Sequence, residues 1–210
     1  MMVSVLICVY NDELRIERAI RSCISQTGID KDDMELIIVD DGSTDSTPQI
    51  LEDVRQTYGS LFHITIVTLS VNVGLGKACN EGIRKSKGRY LVRVDSDDYV
   101  SEHFLFIESL YLRENKEIPA VACDYQLVDE EERVIGRESS IKMPIACGVM
   151  FRKDKLVSLG MYKEVRKGED IDMFMRFVEK YGIYRIALPL YRYTIRSGSL
   201  THQIKEEENT

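Results

Sequence analysis

Four short apolar runs alternate with amphipathic stretches over the first half of this 210-residue chain. The runs are Met2–Val9, Met34–Val39, His63–Leu69 and Tyr90–Val94. After Asn11-Asp12, which offers a helix cap, Leu14, Ile16, Ala19, Ile20, Cys23 and Ile24 fall at helical spacing. After Ser43–Pro48, whose proline suits a first turn, Ile50, Leu51, Val54 and Tyr58 do the same. Gly74–Ser86 reads as a third helix, stopped at Gly88. Strands joined through helices must pair in parallel, because each crossover returns to the same edge of the sheet. Near-continuous apolar runs fit strands buried on both faces. The pattern predicts an α/β fold with a mostly parallel central sheet flanked by helices. Ligands in such sheets bind outside the carboxyl ends of the strands.

The second half is less regular. Ser101 is expected to cap a helix running to about Arg113. Ala120–Val128 and Arg133–Gly136 read as a hairpin around the acidic turn Asp129–Glu132, and Met143–Phe151 is mixed. Glu169–Tyr181 is expected to be a helix with the stripe Ile171, Phe174, Val178 and Tyr181, ended by Gly182. Ile183–Leu188 and Leu190–Ile195 are two late strand candidates. The length suits one domain over residues 1–204, divided near residue 98, with 205–210 as a frayed tail. No apolar run approaches the ~20 residues that span a bilayer. The chain opens directly into Val3–Ile7 without a basic leader, so neither a transmembrane segment nor a secretory signal is expected, and the predicted location is cytoplasmic. Five scattered cysteines, never in CxxC spacing, read as small core residues rather than a zinc site or a disulfide framework. The formal net charge of -7 argues against nucleic acid as a partner. It also means that a diphosphate-bearing substrate would need a metal ion or local cations to dock.

Each apolar run ends in polar residues: Val9-Tyr10-Asn11, Asp40-Asp41-Gly42-Ser43, Ser70–Gly74 and Asp95-Ser96-Asp97-Asp98. The last is the sharpest. Three carboxylates within four residues repel one another, and a shared hard cation such as Mg²⁺ or Mn²⁺ would relieve that. A helix cap would need only one of them. A carboxylate at Asp40 or Asp41 can accept a ring N–H, although the segment also suits a tight turn. Gly74-Leu75-Gly76-Lys77 opens a helix whose amides and lysine favour a phosphate, but it is neither a dinucleotide fingerprint nor a P-loop. Glu169-Asp170 opens the late helix and suits either the helix dipole or a general base. Arg192–His202 is the dense late cationic and hydroxyl stretch. It suits a loop closing over a diphosphate or an unstructured exit from the last strand.

Together these segments resemble family 2 glycosyltransferases of the GT-A fold. The matching residues are Ser4–Asn11, Ile37–Asp45, Asn72–Leu75 with Asn80-Glu81-Gly82, Asp95–Asp98, Glu169-Asp170 and Arg196–His202, in the family's order across residues 3–202. The resemblance implies a nucleotide-sugar-binding half over 1–98 and an acceptor and catalytic half over 99–204. It implies a nucleotide-sugar donor, with UDP the expected nucleotide, and Mg²⁺ or Mn²⁺ as cofactor. The acceptor would be the hydroxyl of a glycan or lipid-linked sugar in surface polysaccharide biosynthesis, and the configuration would invert. Val9 and Asn11 would line the nucleotide pocket, with Asp40 or Asp41 on the base. Asn72, Gly74 and Lys77 would lie on the donor. Asp95 and Asp97 would form the DxD motif, Asp97 being the main metal ligand. Asp170 would be the catalytic base. Arg196 and Ser199 would hold the diphosphate, and His202 would contact the diphosphate or the metal.

The chain departs from the family pattern in places. Cys8 stands where proline is common, and Cys79 replaces an arginine common ahead of the Asn-x-Gly pair. The acceptor-loop tryptophan motif of processive synthases is absent, which favours transfer of a single sugar. The chain is short for the family, which points to a C-terminal acceptor-binding or membrane-docking segment that is missing or supplied by a partner, at the inner membrane face. Rival readings are a sugar nucleotidyltransferase, a phosphoacceptor receiver, and a family member that binds nucleotide-sugar without turnover. The nucleotidyltransferase would want a glycine-rich cationic loop where Tyr10-Asn11-Asp12-Glu13 stands. The receiver gives no role to Glu169-Asp170.

Overall fold

A computed structural model describes residues 2–163 and 168–196. The four apolar runs form β1 (Val3–Val9), β2 (Met34–Asp40), β3 (His63–Thr68) and β4 (Tyr90–Arg93), all parallel, in the order β3-β2-β1-β4. The crossovers are α1 (Ile16–Ile24), α2 (Thr47–Tyr58) and α3 (Leu75–Lys85). Beyond β4 come a two-residue β5 (Tyr99–Val100), α4 (Phe104–Glu114), β6 (Ala120–Val128) and β7 (Val134–Glu138). β8 (Val149–Arg152), α5 (Lys153–Ser158), α6 (Glu169–Tyr181) and β9 (Tyr184–Thr194) complete the described chain. The sheet continues from β4 through antiparallel β8 to β6, then parallel β9 and antiparallel β5, with β7 beside β6. This is the expected α/β architecture, with the hairpin where the sequence puts it.

Strand alternation divides the core in two. Val3, Val5, Ile7 and Val9 face α1, α2 and α4, whereas Leu6 faces α3 and α6. In β4, Tyr90 and Val92 face the first layer and Leu91 the second. Helix α3 sits close against β1 because Gly82 has no side chain; a Cβ there would lie 2.2 Å from Leu6 Cδ1.

Four local expectations are revised. The first helix starts at Ile16 rather than at Asn11-Asp12. Asp12 accepts Ile16 N–H through its carbonyl, while its side chain goes to Arg15 and Ser96. Ser101 precedes α4 by backbone only: its carbonyl accepts Phe104 N–H, and its hydroxyl has no partner among the described residues. The two late strands are one, β9. Its parallel ladder with β6 shifts register on both sides of Asp124, opposite Pro189, which has no N–H to give a regular ladder. Helix α6 buries Met173, Phe174 and Phe177, and leaves Ile171 (62% exposed), Met175 and Val178 outside. Both rows have helical spacing. Phe177 meeting Phe151 edge-on at 4.7 Å fixes which one faces inward.

On β6, the buried Asp124 accepts from Arg185 of β9 at 2.7 and 2.6 Å and from Arg137 of β7 at 3.1 Å. The Arg185 hydrogen bonds hold its carboxyl below the ordinary carboxylate range, against burial. A depressed folded-state value gives stability that is present above the unfolded carboxyl pKa of about 3.9 and is lost as pH falls. Asp124→Asn should therefore cost roughly 1–2 kcal/mol at pH 7, and thermal unfolding should show the gap to wild type closing as pH falls toward about 3.

Candidate active site

The carboxyl ends of β1, β2, β3 and β4 open on one rim, and strand alternation decides what reaches it. Arg93 follows Leu91 by two residues, so it points into the α3–α6 layer. Its side chain is 3% exposed. Its Nη1 and Nη2 donate to the two oxygens of Asp170, on the first turn of α6, at 2.6 and 2.7 Å. Its Nε lies 2.8 Å from Asp95 Oδ1. Burial works against the guanidinium charge, but Asp170 and Asp95 more than offset it and hold Arg93 well above its ordinary range. Tyr162 Oη accepts from Nη1 at 3.3 Å, and Cys79 Sγ lies 4.0 Å from the same nitrogen. Asn80 fixes the Tyr162 backbone from both sides, donating to its carbonyl at 2.9 Å and accepting its N–H at 3.1 Å. Asp95 and Asp170, which are 75 positions apart by number, thus share one buried cation.

The three clustered carboxylates are not equivalent. Asp98 is 1% exposed and faces inward. It accepts Tyr191 O–H at 2.8 Å and Thr194 N–H at 2.8 Å. Tyr191 Oη in turn accepts Asp95 N–H at 3.1 Å. The Asp97 carbonyl accepts from Arg18 of α1 and from the Thr194 hydroxyl, both at 2.6 Å. Asp98 is therefore a pin that ties β9 to the back of the loop. Asp95 and Asp97 are left half-buried toward the rim, and Asp97 Oδ2 lies 3.0 Å from Arg196. Burial pushes both carboxyls up. Asp170 and Asp97 add to this at Asp95 and Asp12 adds to it at Asp97, against the pull of Arg93 and Arg196 respectively.

A charge deficit of this kind suits a hard divalent cation, and Asp95 and Asp97 are the oxygen donors that fit it. Ligand atoms of Asp95, Asp98 and Cys147 also lie within 4.8 Å of one another. That trio contains a thiol and a carboxylate already engaged at both oxygens, so it suits such an ion less well.

On the β1–β3 side, several predicted residues hold loops. Asn11, at φ 49°, accepts Thr44 N–H at 2.7 Å and Asp45 N–H at 3.4 Å, tying the loop after β1 to the loop after β2. Asp41 accepts Val73 N–H at 2.8 Å and Gly74 N–H at 2.9 Å. The Gly74 amide expected to meet a phosphate is thus engaged by Asp41. Asp40 accepts Ser43 N–H at 3.0 Å, and its Oδ2 has no hydrogen-bond partner among the described residues. Val9 is buried, while Tyr10 beside it is 48% exposed at the rim. Asn72 and Lys77 are exposed, the latter on the first turn of α3. Glu169 packs over the same turn, its Cβ 3.4 Å from where a Gly76 side chain would begin. Ser199 and His202 lie outside the described residues.

Arg93, Tyr162 and Tyr191 are the contributors that the sequence reading passed over. Arg93 carried a signal: it is a lone charge inside an apolar strand, two residues before Asp95.

The sequence profile of glycosyl transferase family 2 matches residues 4–168. The chain belongs to that family. A poly(ribitol-phosphate) beta-glucosyltransferase from Bacillus spizizenii is 37% identical over 117 residues, which is 55% of this chain and 18% of that protein. S. aureus TarS 1-349 in complex with UDP-GlcNAc superposes with a TM-score of 0.79 at 23% identity, over 95% of this chain and 60% of that one. The mannosyltransferase PcManGT from Pyrobaculum calidifontis, in complex with GDP-Man and Mn²⁺, gives 0.78 at 19% identity, over 96% and 59%. These likenesses carry the GT-A fold. This family 2 chain spans less than two thirds of these relatives' lengths. Among its described residues no helix is long and apolar enough to cross a membrane.

The division among the carboxylates of this family 2 loop can be tested by stability alone. Asp98→Asn turns an N–H toward the Tyr191 or Thr194 donor and should cost roughly 2–4 kcal/mol in denaturant unfolding. Asp97→Asn, at the rim, should stay within about 0.5 kcal/mol of wild type.

Proposed function

We propose that the chain transfers a single sugar from a nucleotide-diphosphate sugar, UDP-linked, to an acceptor hydroxyl by one displacement with inversion. The observation that carries this reading is the Asp170 carboxylate held at the same rim as Asp95, Asp97 and Arg196. Asp95 and Asp97, with Asp97 as the main ligand, would hold Mg²⁺ or Mn²⁺. When bound, that ion supplies positive charge that offsets the diphosphate and stabilises it as leaving group. Arg196 adds a cation on the same side. Asp170 removes the acceptor proton as the hydroxyl attacks the anomeric carbon from the opposite face, because a sugar hydroxyl is a poor nucleophile until its proton leaves. Asp40, whose buried Oδ2 has no partner among the described residues, is the carboxylate that would accept the N–H of the uracil ring, and the ring of Tyr10 is exposed at the same rim. Asp41 supports this from behind by shaping the Val73–Gly74 loop.

The UDP-GlcNAc and GDP-Man complexes of the two structural neighbours support a nucleotide-sugar donor, and the Mn²⁺ in one of them supports a divalent ion. The poly(ribitol-phosphate) beta-glucosyltransferase relative supports an acceptor hydroxyl on a surface polymer such as a polyol-phosphate chain. A nucleotidyltransferase reading fares worse, since the loop after β1 is Tyr10-Asn11-Asp12-Glu13 and its side chains bind neighbouring loops.

Asp170→Asn should lower transfer by ~10²–10⁴-fold and leave UDP binding by calorimetry within threefold. Wild-type turnover in that variant would remove Asp170 as the base. A chelator should abolish the thermal stabilisation by UDP and by UDP-sugars, and Mn²⁺ should restore it; stabilisation indifferent to metal would overturn the cation assignment. Stabilisation by donor without transfer or donor hydrolysis would point instead to a binding protein.

A further inference from the structure

Arg93 takes no part in the displacement described above, yet it touches both carboxylates that frame it. We propose that Arg93 is a positioning residue. Its guanidinium fixes the plane and place of the Asp170 carboxylate relative to Asp95, so that the base meets the acceptor hydroxyl in line with the departing diphosphate. This inference rests on the reading of Asp170 as the base.

The geometry is specific to an arginine. A guanidinium is planar and donates in a fixed fork, and here both terminal nitrogens engage one carboxylate while Nε makes an ion-pair contact without a hydrogen bond. Nη1 and Nη2 take one Asp170 oxygen each, at 2.6 and 2.7 Å, while Nε turns to Asp95 at 2.8 Å. Two parallel hydrogen bonds set the rotation of a carboxylate, where a single point charge would set only its distance. A carboxylate has about four lone-pair sites, so two remain for an acceptor O–H. The guanidinium itself cannot swing. It is rooted on β4, between β1 and β8 in the sheet, with Tyr162 Oη at 3.3 Å and Cys79 Sγ at 4.0 Å. From α3, the Cys79 sulfur lies beside Nη1 and also 3.5 Å from Cys8 Sγ. Arg93 thus reaches Asp170 from the strand side.

The pair is a costly way to anchor α6. Met173, Phe174 and Phe177 already bury the helix, and a buried ion pair commonly stabilises no better than apolar residues of the same volume. What it adds is orientation. A misplacement of about 1 Å between reacting groups can cost ~10²-fold in rate.

The test is a double-mutant cycle on kcat, with donor binding and unfolding measured in parallel. Arg93→Met should lower kcat by ~10²-fold or more and leave the donor KM and the calorimetric Kd for UDP within threefold. Arg93→Lys keeps the charge without the fork, so kcat should fall by ~10-fold or more with the unfolding midpoint nearly kept. In an Asp170→Asn background, Arg93→Met should change kcat by less than threefold, because the residue acts through Asp170. Wild-type kcat in Arg93→Lys overturns the proposal. So does a full additive loss in the double variant, or a parallel loss of UDP binding and kcat in folded Arg93→Met. If Arg93→Met does not fold, Arg93→Lys decides, alone and in the Asp170→Asn background. An active Asp170→Asn removes the base itself. An inactive Asp170→Asn with unaffected Arg93 variants removes this inference alone.

Discussion

Negative charge crowded onto one rim is the constraint around which this molecule is arranged. Asp95, Asp97 and Asp170 meet at that rim, with Asp98 buried behind the loop, in a protein whose net charge is -7. Such groups stay together only if each finds a compensating partner. Asp98 finds neutral donors, a tyrosine hydroxyl and a backbone amide, and becomes structure. Asp95 and Asp170 share Arg93 from beneath. Asp97 meets Arg196 from the side. The compensation is incomplete at Asp95 and Asp97, and under the proposed function that shortfall is what would draw a further cation and its phosphates to the rim.

The two halves of the chain meet in this cluster. Arg93 is supplied by the regular parallel sheet, and Asp170 by a helix that follows β8 and α5. Tyr191 and Thr194 reach the loop from β9, across the sheet from β4, and Arg18 reaches it from the opposite layer. The acidic loop is thus braced by elements that are distant in sequence, so it is formed only when the whole sheet is formed.

Much of this was legible in the residues. Four apolar runs with helical stretches between them fix a parallel sheet, and the sheet fixes where a ligand goes. Asp95 and Asp97 stood out because three carboxylates exceed what one helix cap needs, whereas Asp170 was singled out by the family resemblance, since the helix dipole alone accounts for an acidic first turn. Other features lay beyond local patterns. The choice between two apolar rows on α6 was made by Phe151, which is remote in sequence. The fusion of two late segments into one strand depended on β6 tolerating Pro189. The separate duties of Asp40, Asp41 and Asp98 depended on which backbone amides come near them, and sequence does not show main-chain neighbours. Asn11 was placed on the ligand by the resemblance and Gly74 by its place at a helix start; the Asn11 Oδ1 and the Gly74 amide also join loops, which no local pattern shows.

Asp41 grips the segment after β3 through the amides of Val73 and Gly74. Amides are common to nearly every residue type, so this grip is blind to the letters it holds. Val71, Asn72 and Val73 are exposed side chains on a segment whose path is set elsewhere. A lineage can rewrite them and keep the same scaffold, provided one carboxylate behind them is left alone.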